Sequence, residues 1–234
     1  MQTIRFGDDG QVATRELMRQ FEQLGPRIAE ATSPAMEKLR GELKTLDAID
    51  RQYGGNGPLP LEGIDEVVGA ALTDLAHLES DCRREGHDAS LVFADLVVGA
   101  ALWAVRHEVP VVVAEPVTNA LALMSNAAGG KAELAAVFGV MQGIIDNLRP
   151  SLHADLERSN PVRPWRLLHV NLAITAIRTE DPAMIQYAFD ALDAALPDER
   201  AGFYAEALAL AMAPDVAPAV REHIEERHRR WNLS

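Results

Sequence analysis

Two runs of apolar residues govern what this chain can fold into. Ile64, Val67, Val68, Ala71, Leu72, Leu75 and Leu78 form one stripe, and Leu134, Val137, Phe138, Met141, Ile144, Ile145 and Leu148 form another, each stepping by three, four and seven. That period lays one apolar face along a helix, while alternation at the two-residue period of a strand is nearly absent. Composition agrees, since the strong helix formers alanine and leucine are abundant, at 37 and 27 residues, while aromatics are 5%. The expectation is an all-α protein of stacked antiparallel helical hairpins, as an α-α superhelix or a helical bundle. Ten helices are predicted at about 14–31, 34–53, 61–84, 89–107, 116–128, 131–148, 163–179, 182–196, 199–213 and 216–231.

Local punctuation supports these bounds. Ser33-Pro34, Asp181-Pro182 and Asp215 each offer a capping oxygen where an apolar-periodic segment begins. Gly86 and the pair Gly129-Gly130 follow helical segments as residues able to take a left-handed terminal conformation. Gly25-Pro26 interrupts the first segment and is expected to kink or split it. The stretch Tyr53-Gly-Gly-Asn-Gly-Pro-Leu-Pro60 cannot continue either flanking helix, so it divides the chain into an N-terminal hairpin (1–53), a Gly/Pro linker (54–60) and a main helical domain (61–234). The hairpin carries a narrow seam at Met36, Leu39, Leu43 and Leu46, ringed by charges. A pair that small docks on the rest of the chain or pairs with a second copy as a homodimer, and docking is the expectation.

The apolar centre runs from Leu91 to Val105 with Asp95 as its single polar residue. After Arg106-His107-Glu108 it resumes through Val109 to Ala114. The first run is too short, and ends in too many charges, for a bilayer span, and Val109 to Ala114 reads as a buried, irregular connector. Buried polar groups cost free energy unless each finds a partner, so Asp95, Arg106, His107, Glu115 and Asn119 are the candidate ligand-binding residues. In one reading they are ordinary caps: Glu115 at a helix N-terminus, Arg106 and His107 at a helix C-terminus, with Asn126 before a Gly-Gly stop. In the other, Arg106, His107, Glu115 and Asn119 line one polar pocket for a small anion or a peptide terminus. Asp95 stands apart, and without a partner its pKa rises.

The net charge of −13 repels phosphate, which argues against duplex nucleic acid and anionic membranes as partners. One cysteine, Cys82, excludes an intramolecular disulfide framework and reads as a bystander thiol. Gly86-His87-Asp88 shares a His-Asp pair with all-helical metal-dependent phosphohydrolases, but it lies between a glycine stop and a new helix, where Asp88 reads as an N-cap. No metal or cofactor is therefore expected, and no nucleophile or phosphate-loop motif is present. The basic cluster Arg227, His228, Arg229, Arg230 and Trp231 reads as a solvated helix end. The N-terminus lacks a basic segment followed by an apolar one, so a cytoplasmic location is expected.

Pro182 and Pro218 stand 36 residues apart, each followed by an alanine and an amphipathic helix. At the same offset Leu168 aligns with Tyr204, Leu172 with Leu208 and Ala173 with Ala209. With Trp165 near the start of the first helix and Pro197 after the second, residues 161–231 resemble the tetratricopeptide superfamily. That resemblance implies a right-handed stack of helix pairs with a concave face for peptides or protein helices. An ordinary bundle of hairpins of similar length gives the same period. The functional expectation is a non-catalytic cytoplasmic protein-interaction or regulatory module whose partner is a peptide or helix. The alternative is a helical small-ligand binder or enzyme using the polar pocket.

Overall fold

The computed structural model describes residues 10–24, 33–152, 160–213 and 216–232. Among the described residues it holds ten helices and no strand: α1 Gly10–Leu24, α2 Ser33–Tyr53, α3 Ile64–Arg84, α4 Ser90–Arg106, α5 Ala114–Ala127, α6 Lys131–Leu152, α7 Pro164–Thr179, α8 Pro182–Ala195, α9 Arg200–Ala211 and α10 Pro218–Asn232. The all-α expectation and the helix number hold. None of the described helices is long and apolar enough to cross a membrane. The expected kink at Gly25-Pro26 and the cap at Asp215 lie outside the described residues.

Backbone chemistry explains most of the boundaries. Gly54, at φ +88°, ends α2 and donates its N–H to the Asp50 carbonyl at 2.9 Å. Gly63, at φ +73°, delays the start of α3 to Ile64 and leaves Leu61 exposed, where the sequence predicts a helix from 61. Gly86, at φ +83°, stops α3 as expected, with the His87 N–H reaching back to the Cys82 carbonyl at 2.9 Å. Asp181 caps α8 as expected, its carboxylate accepting from the N–H groups of Ala183 at 2.9 Å and Met184 at 3.0 Å.

Two expected devices differ. Gly129 and Gly130 are not among the left-handed glycines; instead the Gly129 N–H donates to Glu133 Oε2 at 2.7 Å, so the pair opens α6 rather than closing α5. Asp88 is not a cap either, because α4 begins behind Ala89 and Ser90 turns its hydroxyl to Glu79.

The described residues form two compact units. One comprises the described residues up to 126 together with 143–152, and the other 127–142 together with the described residues from 160 on. In the first, α1 packs on α2 and α4, and α2 on α3, so the N-terminal hairpin docks within its own chain. Leu39, Leu43 and Leu46 of the seam are completely buried, each contributing about 2 kcal/mol through the apolar area removed from water. The Gly/Pro stretch lies inside this unit, and the Gly57 N–H donates to the Arg106 carbonyl at 2.9 Å.

The stretch between α4 and α5 is an irregular connector, as the sequence predicts, although only alternate residues are buried. Val109 and Val111 point inward while Pro110 and Val112 face solvent. Such a segment needs partners for its peptide groups, and Asn147 supplies them. Its Oδ1 accepts from the Val111 N–H at 3.1 Å and its Nδ2 donates to the Val109 carbonyl at 3.0 Å. Gly69 lets the connector come close, since a Cβ there would meet a Val112 methyl at 3.2 Å. Asn147→Ala strands both peptide groups and is expected to cost about 1–3 kcal/mol, read as a lower urea midpoint at constant slope. A loss below about 0.5 kcal/mol would show that the bracket is dispensable.

In the second unit α7 pairs with α8 and α9 with α10, and α8 also touches α10. Helix starts recur at one offset: α9 opens 36 residues after α7, and α10 opens 36 residues after α8. A partly buried polar network ties α8, α9 and α10 together. Arg227 donates to Asp193 at 2.6 Å and to Asp190 at 2.5 Å, while Tyr204 and Trp231 both donate to Asp193, at 3.0 and 3.1 Å. Burial first, and the Asp193 charge next, push the Tyr204 hydroxyl upward. The expectation of a solvated basic end therefore fails for Arg227, which is buried. A charge on the inner face of a terminal helix looks in sequence like one on its outer face.

Candidate functional site

The four residues expected to share a pocket go to two places. Arg106 ends α4 and His107 caps it. His107 Nε2 lies 2.8 Å from Asp50 Oδ1, and its Nδ1 faces the Gly57 carbonyl at 3.0 Å. The indole of Trp103 donates to the same Asp50 oxygen at 2.7 Å, and Arg106 Nη2 stands 3.9 Å from the other. Asp50 is 0%, Trp103 1% and His107 1% exposed, so the cluster is buried, and its hydrogen bonds fasten α2 and residue 57 to the end of α4. Sequence reading misses Asp50. A signal is present, because Met36, Leu39, Leu43, Leu46 and Asp50 continue one heptad seam, which puts an acid at an inward position.

Glu115 and Asn119, on the first two turns of α5, border a different cleft of about 460 Å³ in the first unit. Phe93, Val97 and Leu123 form its apolar floor, and Glu79, Arg83 and Ser90 join the rim. Glu79 is engaged there, accepting from Ser90 Oγ at 2.8 Å and pairing with Arg83.

Asp95 lies in α4, 6% exposed, and burial alone pushes its carboxyl up to about 6. Among the described residues no hydrogen-bond donor reaches it. A second raised acid is Glu42 on α2, pushed up to about 7 by burial and then by the Asp74 charge on α3, with Lys38 Nζ 2.6 Å from Asp74. Cys82 is buried, and burial raises its thiol, in keeping with an inert side chain. Among the described residues no group of three or more His, Cys, Asp or Glu is placed to hold a metal ion.

The second unit carries an apolar cleft between α7 and α9, of about 480 Å³. Val170, Ile174 and Ile177 line one wall and Phe203, Ala207 and Leu210 the other. Two of these are large and open to water, Ile174 at 42% and Leu210 at 75% exposed. One end is tied across by Glu199, which accepts from Arg163 at 2.6 Å and pairs with Arg166. Those two hydrogen bonds outweigh partial burial and hold the Glu199 carboxyl below the usual carboxylate range. Glu206, exposed, sits on the α9 wall.

The cleft follows from a pattern that sequence analysis passes over. Leu168, Leu172 and Ala176 face the interior on one side of α7, and Val170, Ile174 and Ile177 make a second apolar face. A helix apolar on two faces needs two partners, and α8 covers one face. Comparison of the chain with protein-family models, with curated proteins and with solved structures finds no match.

Proposed function

We propose that this chain is a non-catalytic, cytoplasmic protein-interaction module, and that a partner seats in the cleft between α7 and α9. The carrying observation is the pair Ile174 and Leu210. They are large aliphatic side chains left in water on opposite walls of one apolar groove, where burial by a partner would remove their contact with water. The 36-residue recurrence of helix starts supports a tetratricopeptide-like arrangement of the two hairpins, in which the first helices of successive pairs, α7 and α9, line the binding face.

The double substitution Ile174→Glu and Leu210→Glu tests the reading. Leu210 is largely and Ile174 partly solvated, so stability is expected to change by about 1 kcal/mol. In affinity capture from the cells of origin, proteins held by the wild type should be lost with the double variant. An unchanged set of captured proteins would place the interaction elsewhere or remove it.

A small-ligand reading keeps one specific support, the cleft bordered by Glu115 and Asn119, which combines an apolar floor with carboxylate, hydroxyl and amide groups. A thermal shift with a metabolite panel that vanishes in Asn119→Ala would favour it over the interaction reading.

A further inference from the structure

Resting on the proposed interaction role of the α7/α9 cleft, we infer that its occupant is a cationic amphipathic helix of a partner protein. It lays leucine-like side chains between Ile174 and Leu210 and sets a lysine or arginine against Glu206. Length, shape and charge each bear on this.

From Arg166 to Arg178 the α7 wall runs about 18 Å at 1.5 Å per residue, which is three to four helical turns. The walls present apolar side chains at helical spacing, Val170, Ile174 and Ile177 against Phe203, Ala207 and Leu210. The complementary ligand is itself a helix with apolar residues at i, i+3 or i+4, and i+7. Charge then selects among amphipathic helices. Two cations, Arg166 and Arg178, and three acids, Asp198, Glu199 and Glu206, line the cleft; Arg166 is committed to Glu199, Arg178 and Asp198 each have interactions of their own, and Glu206 stands exposed on the α9 wall. The chain as a whole carries a net charge of −13, which attracts basic partners and repels acidic ones before contact.

The test uses the full chain and two fluorescein-labelled helical peptides of about 18 residues with the same leucine spacing, one carrying lysines on its polar face and one glutamates. Fluorescence anisotropy in about 0.15 M salt is expected to give saturable binding of the lysine peptide, at least tenfold tighter than the glutamate peptide. Leu210→Asp should weaken that binding about tenfold, and Glu206→Lys should shrink the preference by about fivefold. Glu226→Lys, an exposed change on α10 away from the cleft, should leave the ratio between the two peptides unaltered within about twofold, which separates a seated helix from general attraction to an acidic surface.

Three outcomes would overturn the inference. If the glutamate peptide binds better and is lost in Leu210→Asp, the cleft binds helices but the charge assignment fails, and the interaction reading stands. If neither peptide saturates, both fall. If the wild-type chain dimerises in sedimentation and Leu210→Asp is monomeric, the occupant is a second copy.

Discussion

Asp50→Ala is expected to destabilise the first unit by about 3–5 kcal/mol. The substitution removes the carboxylate oxygen that Trp103 Nε1 and His107 Nε2 share, and leaves both ring nitrogens buried without it. It also removes the carboxylate oxygen that stands 3.9 Å from Arg106 Nη2. Exchanging the acid for its amide keeps an acceptor oxygen for the indole while removing the charge, so Asp50→Asn should cost about half as much. Trp103 is the tryptophan of the first unit, Trp165 and Trp231 belonging to the second, so in a Trp165→Phe, Trp231→Phe background its fluorescence follows this unit alone. Equal stability of Asp50→Ala and the wild type, within about 1 kcal/mol, would show that the cluster is not what fastens α2 to α4.

Asp95→Asn is expected to do the opposite and stabilise the chain at neutral pH. Burial raises the folded-state carboxyl to about 6 from an ordinary value of 3.8, with no opposite charge among the described residues to offset it. Below the unfolded value both states hold the proton and burial of the neutral acid is tolerated. Between about pH 4 and pH 6 the unfolded chain sheds the proton first, so stability falls as pH rises, by about 3 kcal/mol in total. Above about 6 the loss is complete and constant. The amide carries no such charge, so Asp95→Asn should flatten this part of the stability profile and gain up to about 3 kcal/mol at about pH 7.5. Glu42, raised to about 7, has the same sign and persists in the variant, leaving a residual decline toward neutrality. Urea denaturation at half-unit pH steps would sink the idea if wild type and variant ran parallel between about pH 4 and pH 6.

The helices are legible in the sequence because their determinants are local. Apolar residues at periods of three and four, Asp181 with Pro182, and Gly86 after a charged turn each act within a few residues, and the structure agrees with all three. What escapes the sequence depends on partners distant along it. Arg106 and His107 read as helix-end cations, and nothing near them points to Asp50, more than fifty residues earlier, or to the Gly57 carbonyl. Glu115 and Asn119 lie so close to them along the chain that one pocket looks natural. The extended valines between α4 and α5 carry the pair to another cleft. Arg227 is misread for the same reason, its partners Asp190 and Asp193 lying a whole hairpin away. Asp95 is the exception. An acid in an unbroken apolar run needs no knowledge of its neighbours to be read as strained in its ionised form, and among the described residues no opposite charge offsets its burial.

The Gly/Pro stretch after α2 invites anyone trimming this protein to cut there. With the Gly57 peptide sewn to Arg106 and His107 on both its N–H and its carbonyl side, that stretch behaves as a strap across the first unit rather than a tether. A shortened chain beginning at residue 61 would lose the strap and the acid it leads from, and would open the α3 and α4 surfaces that α1 and α2 cover. Such a fragment is expected to precipitate. Gene fusions and affinity tags belong at the chain's ends, not at its most flexible-looking word.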